Sequence, residues 1–156
     1  MIEHGRVLQA GAVDVVFRRP ASLRVAELLG LHNVGEGTMR APGMIETDAG
    51  LVIAAPERAI PAGERVMWRV APSSLTIAPN GAHAGTIDSA ELRHGDLYAV
   101  ATIIGMRFDI ACDVESSDVP KPGPARFAID PRGVSAWVIG RRGIARETAL
   151  PSSSPA

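Results

Sequence analysis

A succession of short segments rich in Val, Ile, Thr and aromatic residues constrains this sequence most strongly. Residues of these types favour strands, and Gly or Pro between them favours turns. From Gly50 onward the segments read GLVIAAP, ERVMWRVAP, SLTIAP, GTIDSAEL, LYAVATIIG, MRFDIACDV, ARFAID and VSAWVIG. We therefore predict an all-β fold for most of the chain.

The first thirty residues have a different pattern. Residues 2–11 predict a tight hairpin that turns at His4-Gly5, and the apolar spacing in residues 12–19 favours a short helix over a strand. Residues 20–29 predict a clearer helix, which opens on a proline and ends at Gly30. A hairpin and a short helix are thus expected to precede the β region.

Composition excludes several classes of protein. The chain has 156 residues, a net charge of −1 and only 4% aromatic residues, which disfavours a nucleic-acid-binding surface. Cys112 is the single cysteine, so no disulfide framework is possible within one chain. No apolar run approaches the roughly 20 residues of a membrane span. We expect a cytoplasmic protein that binds no nucleic acid.

An internal repeat is visible in the β region. The stretches GERVMWRVAPSSLTI and GPARFAIDPRGVSAW align on Pro72 and Pro131. This alignment places Trp68 opposite Phe127 and predicts a strand that ends at proline in each copy. Upstream, the tripeptides GTM at 37–39 and GTI at 85–87 are expected to open the two copies.

A resemblance to a known family covers nearly the whole chain. Residues 3–33, EHGRVLQAGAVDVVFRRPASLRVAELLGLHN, resemble the stretch that follows the ATPase core in the ATP-binding subunits of ABC importers. The following NVGEGTM and GERVMWRVAPSSLTI are similar to the C-terminal TOBE segments of that family. The resemblance implies tandem OB-like (TOBE) small β-barrel segments preceded by a short hairpin and helix, with strands that the two segments could share.

The resemblance also implies an organisation along the chain. Residues 1–30 would be the end of an ABC ATPase domain with its linker helix. Residues 31–80 would form the first TOBE segment and residues 81–140 the second. Residues 141–156, rich in Ser and Pro at the end, are predicted to be a flexible tail.

The motifs of the ATPase core are missing from this sequence. The chain has no phosphate-binding G-x-x-x-x-G-K-[ST] loop, and its one lysine, Lys121, precedes Pro122. The signature Ser-Gly-Gly-Gln and a Walker-B acid are absent as well. We expect a non-enzymatic region without a cofactor, corresponding to an excised or truncated C-terminal portion of an ATP-binding subunit.

Four residues are candidates for contact with an oxyanion: Asn33, Gly35, Gly37 and Thr38. An amide, a hydroxyl and glycine backbone N–H groups can converge on an anion, although a turn that enters a barrel would use the same residues. The molybdate-type family pattern Ser-x-Arg-Asn reads Leu31-His32-Asn33 here, so only its Asn is kept. The family's Arg-Pro-Glu likewise reads Ala-Pro-Ser at 71–73.

Two other constellations are weak. His83, His94 and Cys112 lack the close spacing of zinc ligands, so no metal site is predicted. Ser89, His94 and Asp96 lack a nucleophile elbow, so no catalytic residues are predicted.

The predicted function is therefore regulatory. The resemblance implies a dimerisation and regulatory region that senses an oxyanion such as molybdate, tungstate or sulfate. Its partners would be a second copy, the ATPase core and, through that core, membrane permease subunits, which places it at the inner membrane when assembled. The alternatives are a free-standing molybdate or tungstate storage protein, and the regulatory region of a sugar, polyamine or iron importer without an oxyanion site.

Overall fold

A computed structural model describes residues 1–56, 59–113 and 118–139. The N-terminal unit consists of β1 (Ile2–Glu3), β2 (Arg6–Val7), α1 (Val13–Arg18) and α2 (Leu23–Leu28). The first sheet-forming half contains β3 (Val34–Ala41), β4 (Met44–Thr47), β5 (Val52–Ala54), β6 (Arg65–Val70), a 3₁₀ turn (Pro72–Ser74) and β7 (Leu75–Ile77). The second half contains β8 (His83–Arg93), β9 (Asp96–Ile103), β10 (Met106–Cys112), β11 (Gly123–Ile129), a 3₁₀ turn (Pro131–Gly133) and β12 (Val134–Val138).

The predicted element types are confirmed. The eight predicted strands are present, His4-Gly5 forms the hairpin turn with positive φ at both residues, and both predicted helices form. The second helix begins later than predicted because Ser22 caps it, accepting from the backbone N–H of Val25. The eight predicted strand segments did not include β3 or β4, although Pro42-Gly43 marks the turn between them.

The strands form two antiparallel five-stranded sheets that exchange one strand. The first sheet has the order β12-β6-β3-β4-β5, and the second has the order β10-β9-β8-β11-β7. After the turn at Pro72–Ser74 the chain crosses into the second sheet, and after the turn at Pro131–Gly133 it crosses back. Sharing of strands between the segments, expected as an option, is therefore what the chain does.

The internal repeat is confirmed by the pairing registers. Val134 pairs with Val70, and Leu75 pairs with Ile129 in the matching position of the other crossing. Two backbone hydrogen bonds repeat in the same way, because Ala71 donates to Gly133 at 2.9 Å and Asp130 donates to Ser74 at 2.8 Å. The two halves are thus related by an approximate internal two-fold arrangement around the crossing.

The repeated glycines have a steric role. Gly37 and Gly85 occupy equivalent places, and a Cβ at either would lie 2.5 Å from a backbone oxygen of the neighbouring strand, that of Glu46 or Thr102. These positions have no room for a side chain. The GTM and GTI tripeptides therefore mark the same structural position in the two copies.

One hydrophobic core is shared by both sheets. Trp68 and Phe127, aligned in the repeat, are both buried in it, and the Trp68 ring stacks on Phe108 with 6.0 Å between centroids. The Trp68 indole N–H donates to the carbonyl of Glu36 at 3.0 Å, so its polar atom is satisfied. Burial of large side chains from both halves makes the two sheets one packing unit.

The N-terminal unit packs on the outer face of the first sheet. Ala26 of α2 lies in a small cluster with Met67 and Trp137, and the Trp137 indole donates to the carbonyl of Pro20 at 3.0 Å. The side chain of Gln9 links two parts of this unit, because its Oε1 accepts a hydrogen bond from the Ala21 N–H at 2.8 Å. The helices are thus attached to the β region by buried contacts.

The predicted segment limits 1–30, 31–80 and 81–140 stay a prediction, since the exchanged strands make the sheets cross those limits. The predicted tail, residues 141–156, lies outside the described residues. Within the described ranges, no helix is long and apolar enough to span a membrane.

Candidate functional site

A polar cleft of about 530 Å³ opens where the linker after α2 meets the second sheet. Its walls come from that linker, from the far end of the β8–β9 hairpin and from β10. The lining residues are His32, Arg93, His94, Asp96, Tyr98, Arg107 and Asp109. Charged side chains of both signs thus surround a cavity of ligand size.

Asp109 lies at the base of this cleft. Its side chain is only 6% exposed, although it sits on β10 between the core residues Phe108 and Ile110. Arg93 Nη1 donates to its Oδ2 at 2.7 Å, and His32 Nδ1 lies 2.7 Å from the same oxygen. A buried carboxylate requires such partners, since an unpaired charge in this position would be costly.

Arg93 is held from three sides. It donates to Asp109 and to Glu91, and its guanidinium lies 5.4 Å from the centre of the Tyr98 ring. These hydrogen bonds, first with Asp109 and then with Glu91, raise the pKa of Arg93 further above its ordinary value. The hydrogen bond from Arg93 to Glu91 also lowers the pKa of Glu91. Arg93 is therefore a fixed, permanently charged part of the wall.

Arg107 has unused donors, and His32 has one ring nitrogen that Asp109 does not engage. The Arg107 side chain is 64% exposed, and its nearest carboxylate oxygens, on Asp109 and Glu91, are 3.8 and 3.9 Å away. Those distances are longer than a hydrogen bond. Within the described ranges, the guanidinium N–H groups of Arg107 therefore form no hydrogen bond. His32 engages Asp109 through Nδ1, which leaves Nε2 as the other nitrogen of a half-exposed ring.

Asn33, one of the four predicted oxyanion residues, joins the two halves behind the cleft. Its Nδ2 donates to the Asp109 carbonyl and its Oδ1 accepts from the Asp109 N–H, both at 2.7 Å. The residue is buried and has a φ of 54°, a conformation that Asn tolerates better than most residues. Asn33 and Asp109 are 76 positions apart in the sequence.

The other three predicted residues lie along β3. Gly35 lines a second cleft of about 380 Å³ beside Trp68, whose ring fills the space that a Cβ would need. Gly37 packs against the neighbouring strand, as described above. Thr38 lies 3.5 Å from Arg65, which also binds Asp48. Their contact with an anion stays a prediction.

The alternative constellations are placed as follows. The Ser89 hydroxyl binds Glu91 at 3.2 Å, whereas His94 and Asp96 line the cleft. In the parts of the chain that the structure describes, no group of three His, Cys, Asp or Glu side chains is arranged to hold a metal ion.

Sequence reasoning missed the cluster around Asp109. One signal was available, because a carboxylate within the otherwise apolar FDIAC strand needs a partner. The identity of that partner was not readable, since Arg93 lies on another strand and His32 in a distant linker.

Comparisons with known proteins complete the description. No family model matches the chain. Over 75 residues it is 40% identical to the molybdate/tungstate import ATP-binding protein WtpC of Thermococcus kodakarensis, a stretch that is 48% of this chain and 21% of that protein. The chain therefore spans about a fifth of that relative's length.

A solved structure has a similar fold. The fold matches the cytoplasmic molybdate-binding protein ModG, in a form with molybdate bound, with a TM-score of 0.56 and 17% identity over 70% of this chain and 97% of that chain. The paired, strand-exchanging sheets and these two likenesses support a TOBE-type region built from tandem OB-like β segments.

Proposed function

We propose that this chain is the regulatory region of an ABC importer ATP-binding subunit that handles molybdate or tungstate. The observation that carries the proposal is the 40% identity to an import ATP-binding protein for these two anions. The region is non-catalytic and needs no cofactor. It acts in the cytoplasm, next to the inner membrane when the transporter is assembled.

The N-terminal unit supports an importer over a free-standing protein. Its hairpin and helices leave large apolar side chains exposed while α2 is anchored to the sheet. These side chains are Ile2, Val7, Val13, Val15, Phe17, Leu23 and Leu28. An exposed apolar group of this kind is typical of a surface that another domain covers. We assign residues 1–30 to the end of an ATPase domain, whose core would cover them.

The regulatory mechanism follows from linkage. Two copies would associate through their β regions, and the ATPase cores would contact the permease subunits. An oxyanion that binds one arrangement of the dimer more tightly than the other shifts the transporter toward that arrangement.

The oxyanion contact is proposed at Asn33, Gly35, Gly37 and Thr38. Asn33 Nδ2 carries two hydrogens and uses one on Asp109, so the second is available. Gly35 lines an open cleft, and the Thr38 hydroxyl is only weakly engaged by Arg65.

A free-standing oxyanion-binding protein is the second candidate. It is favoured by the structural match, since 97% of the ModG chain is covered by this fold.

Thermal melting with molybdate, tungstate, sulfate and phosphate tests the ligand. A ligand that binds only the folded state adds about 2.7 kcal/mol at a hundredfold excess over Kd. We expect a selective rise in Tm with molybdate or tungstate that is reduced in Thr38→Val. Thr86→Val, at the equivalent place in the second copy, is the matched control. Absence of a rise with every anion would refute the oxyanion role and favour a sugar, polyamine or iron importer.

Binding to an ATPase core separates the two candidates. The chain is mixed with the isolated nucleotide-binding core of a molybdate importer from the same organism, and affinity is measured by biolayer interferometry. We expect binding that Phe17→Ser weakens and that Leu92→Ser, a change at an exposed apolar residue of the β8–β9 tip, leaves unchanged. No binding by the unmodified chain would favour the free-standing protein.

A further inference from the structure

Apart from His32, the residues that line the polar cleft come from the second half of the repeat. In the first half, β3 ends at Ala41, shortly after its Met39–Ile45 pair. In the second half, β8 continues past the equivalent Ile87–Ala101 pair as far as Arg93. This extension supplies the hairpin side of the cleft. The cleft is therefore an addition to the repeated frame and has no counterpart in the β3–β4 hairpin.

The groups in the cleft divide into a fixed base and a free rim. The base is the Asp109–Arg93–Glu91 cluster, in which Arg93 donates to both carboxylates. The rim is formed by Arg107, which has no hydrogen bond within the described ranges, and by His32 and His94. Arg107 can present two parallel N–H groups to the oxygens of a carboxylate or phosphate.

The charged side chains of the cleft differ in whether they are already engaged. Arg93, Arg107, Asp96 and Asp109 line the cleft, and Tyr98 completes the wall. Asp109 is engaged by Arg93 and by Nδ1 of His32, and Arg93 also donates to Glu91. Arg107 is therefore the lining cation whose side chain forms no hydrogen bond within the described ranges.

We propose that this cleft binds a small-molecule anion through a phosphate or carboxylate group that Arg107 holds. A volume of about 530 Å³ accommodates an organic molecule and exceeds the needs of a bare oxyanion. Arg107 binds the charged group, and Asp109 fixes the orientation of the His32 imidazole beside it. The site is separate from the contact at Asn33–Thr38 and goes beyond the proposed function.

NMR titration of the ¹⁵N-labelled chain at neutral pH tests the site with two divalent probes, sulfate, which is tetrahedral, and oxalate, which is planar. We expect shifts of the Arg107 Nε–H and of the His32 ring. Arg107→Gln is expected to weaken binding by about tenfold or more. The matched control is Arg40→Gln, because Arg40 is also 64% exposed and has one long ion pair, 3.9 Å from Glu46.

Each outcome separates this inference from the proposed function. Sulfate binding that survives Arg107→Gln overturns the cleft site and leaves an oxyanion contact at β3 standing. Absence of binding by both probes, with the spectrum of a folded chain, also overturns it. Binding that Arg107→Gln removes, in a chain that molybdate does not stabilise, supports the cleft and argues against molybdate sensing. A preference for sulfate or for oxalate assigns the phosphate or the carboxylate class.

Discussion

The two halves of the β region share one frame and differ in what is added to it. Both contain a strand that ends at proline, a 3₁₀ turn and a strand that crosses to the other sheet. The first half is covered on its outer face by α2, whereas the second half extends its central hairpin and builds a polar cleft. The repeated elements thus account for the core, and the unique elements carry the polar cleft and the exposed apolar side chains of the N-terminal unit.

Truncation of the matched aromatic residues is expected to have the largest effect. Trp68→Ala and Phe127→Ala should each lower the free energy of unfolding by about 3–5 kcal/mol, because both side chains are buried in the common core. Urea denaturation measures the loss, with the partly exposed edge residue Val138→Ala as control. A biphasic transition in one variant would mean that the halves are separate folding units.

Removal of the buried hydrogen bonds between Asn33 and Asp109 is expected to have the second-largest effect on stability. Asn33→Ala leaves the N–H and C=O of Asp109 without their partner, so we expect a loss of about 2–3 kcal/mol in urea denaturation. Asn33→Asp keeps an acceptor for the N–H but sets a buried carboxylate oxygen against the Asp109 carbonyl, so it should cost at least as much. Unchanged stability in either variant would contradict a role for these hydrogen bonds.

The equivalent glycines allow a direct test of the repeat. Gly37→Ala and Gly85→Ala each place a Cβ 2.5 Å from a backbone oxygen, and we expect each to destabilise by about 1–3 kcal/mol. Thr86→Ala, next to Gly85 and exposed, is the control and should be nearly neutral. A loss at only one of the two glycines would show that the halves tolerate strain differently.

The smallest expected effect is a pH dependence specific to the second half. Burial, and secondarily the charge of Arg126, lowers the pKa of His83 below its usual value of 6.5. The unfolded chain therefore takes up a proton more readily. The stability from neutral His83 is complete above about pH 6.5 and is lost as the pH falls toward the lowered pKa.

Melting temperatures between about pH 7 and pH 5 measure this effect. We expect a shallower decline of Tm in His83→Gln than in the unmodified chain, and no such change in His4→Gln at the N-terminal hairpin. Identical slopes in all three chains would show that His83 is not stabilised in its neutral form.

Local elements were predictable from the sequence to a large extent. The alternation in ERVMWRVAP and ARFAID, the prolines that end those strands and the Gly that follows α2 act over a few residues, so their effect is readable directly. The short β4 strand was missed because its four residues carry little pattern of their own. Strand pairing with β3 and β5 makes it a strand.

The candidate site was predictable only in part. Asn33 was singled out for an anion, and the structure engages its amide with Asp109 across the junction of the two halves. Arg93 and Arg107 were not recognised, because their relation to Asp109 depends on the pairing of β10 with β9 and of β9 with β8.

The sequence by itself determined the all-β character, the helical preamble, the internal repeat and the resemblance to TOBE regions, since local propensities and aligned motifs are properties of short stretches. The tertiary structure alone decided which strands are exchanged and which charges meet in the cleft. Those features arise from contacts between residues far apart in the chain, and burial of a shared core selects them over the alternatives that the same local patterns would allow.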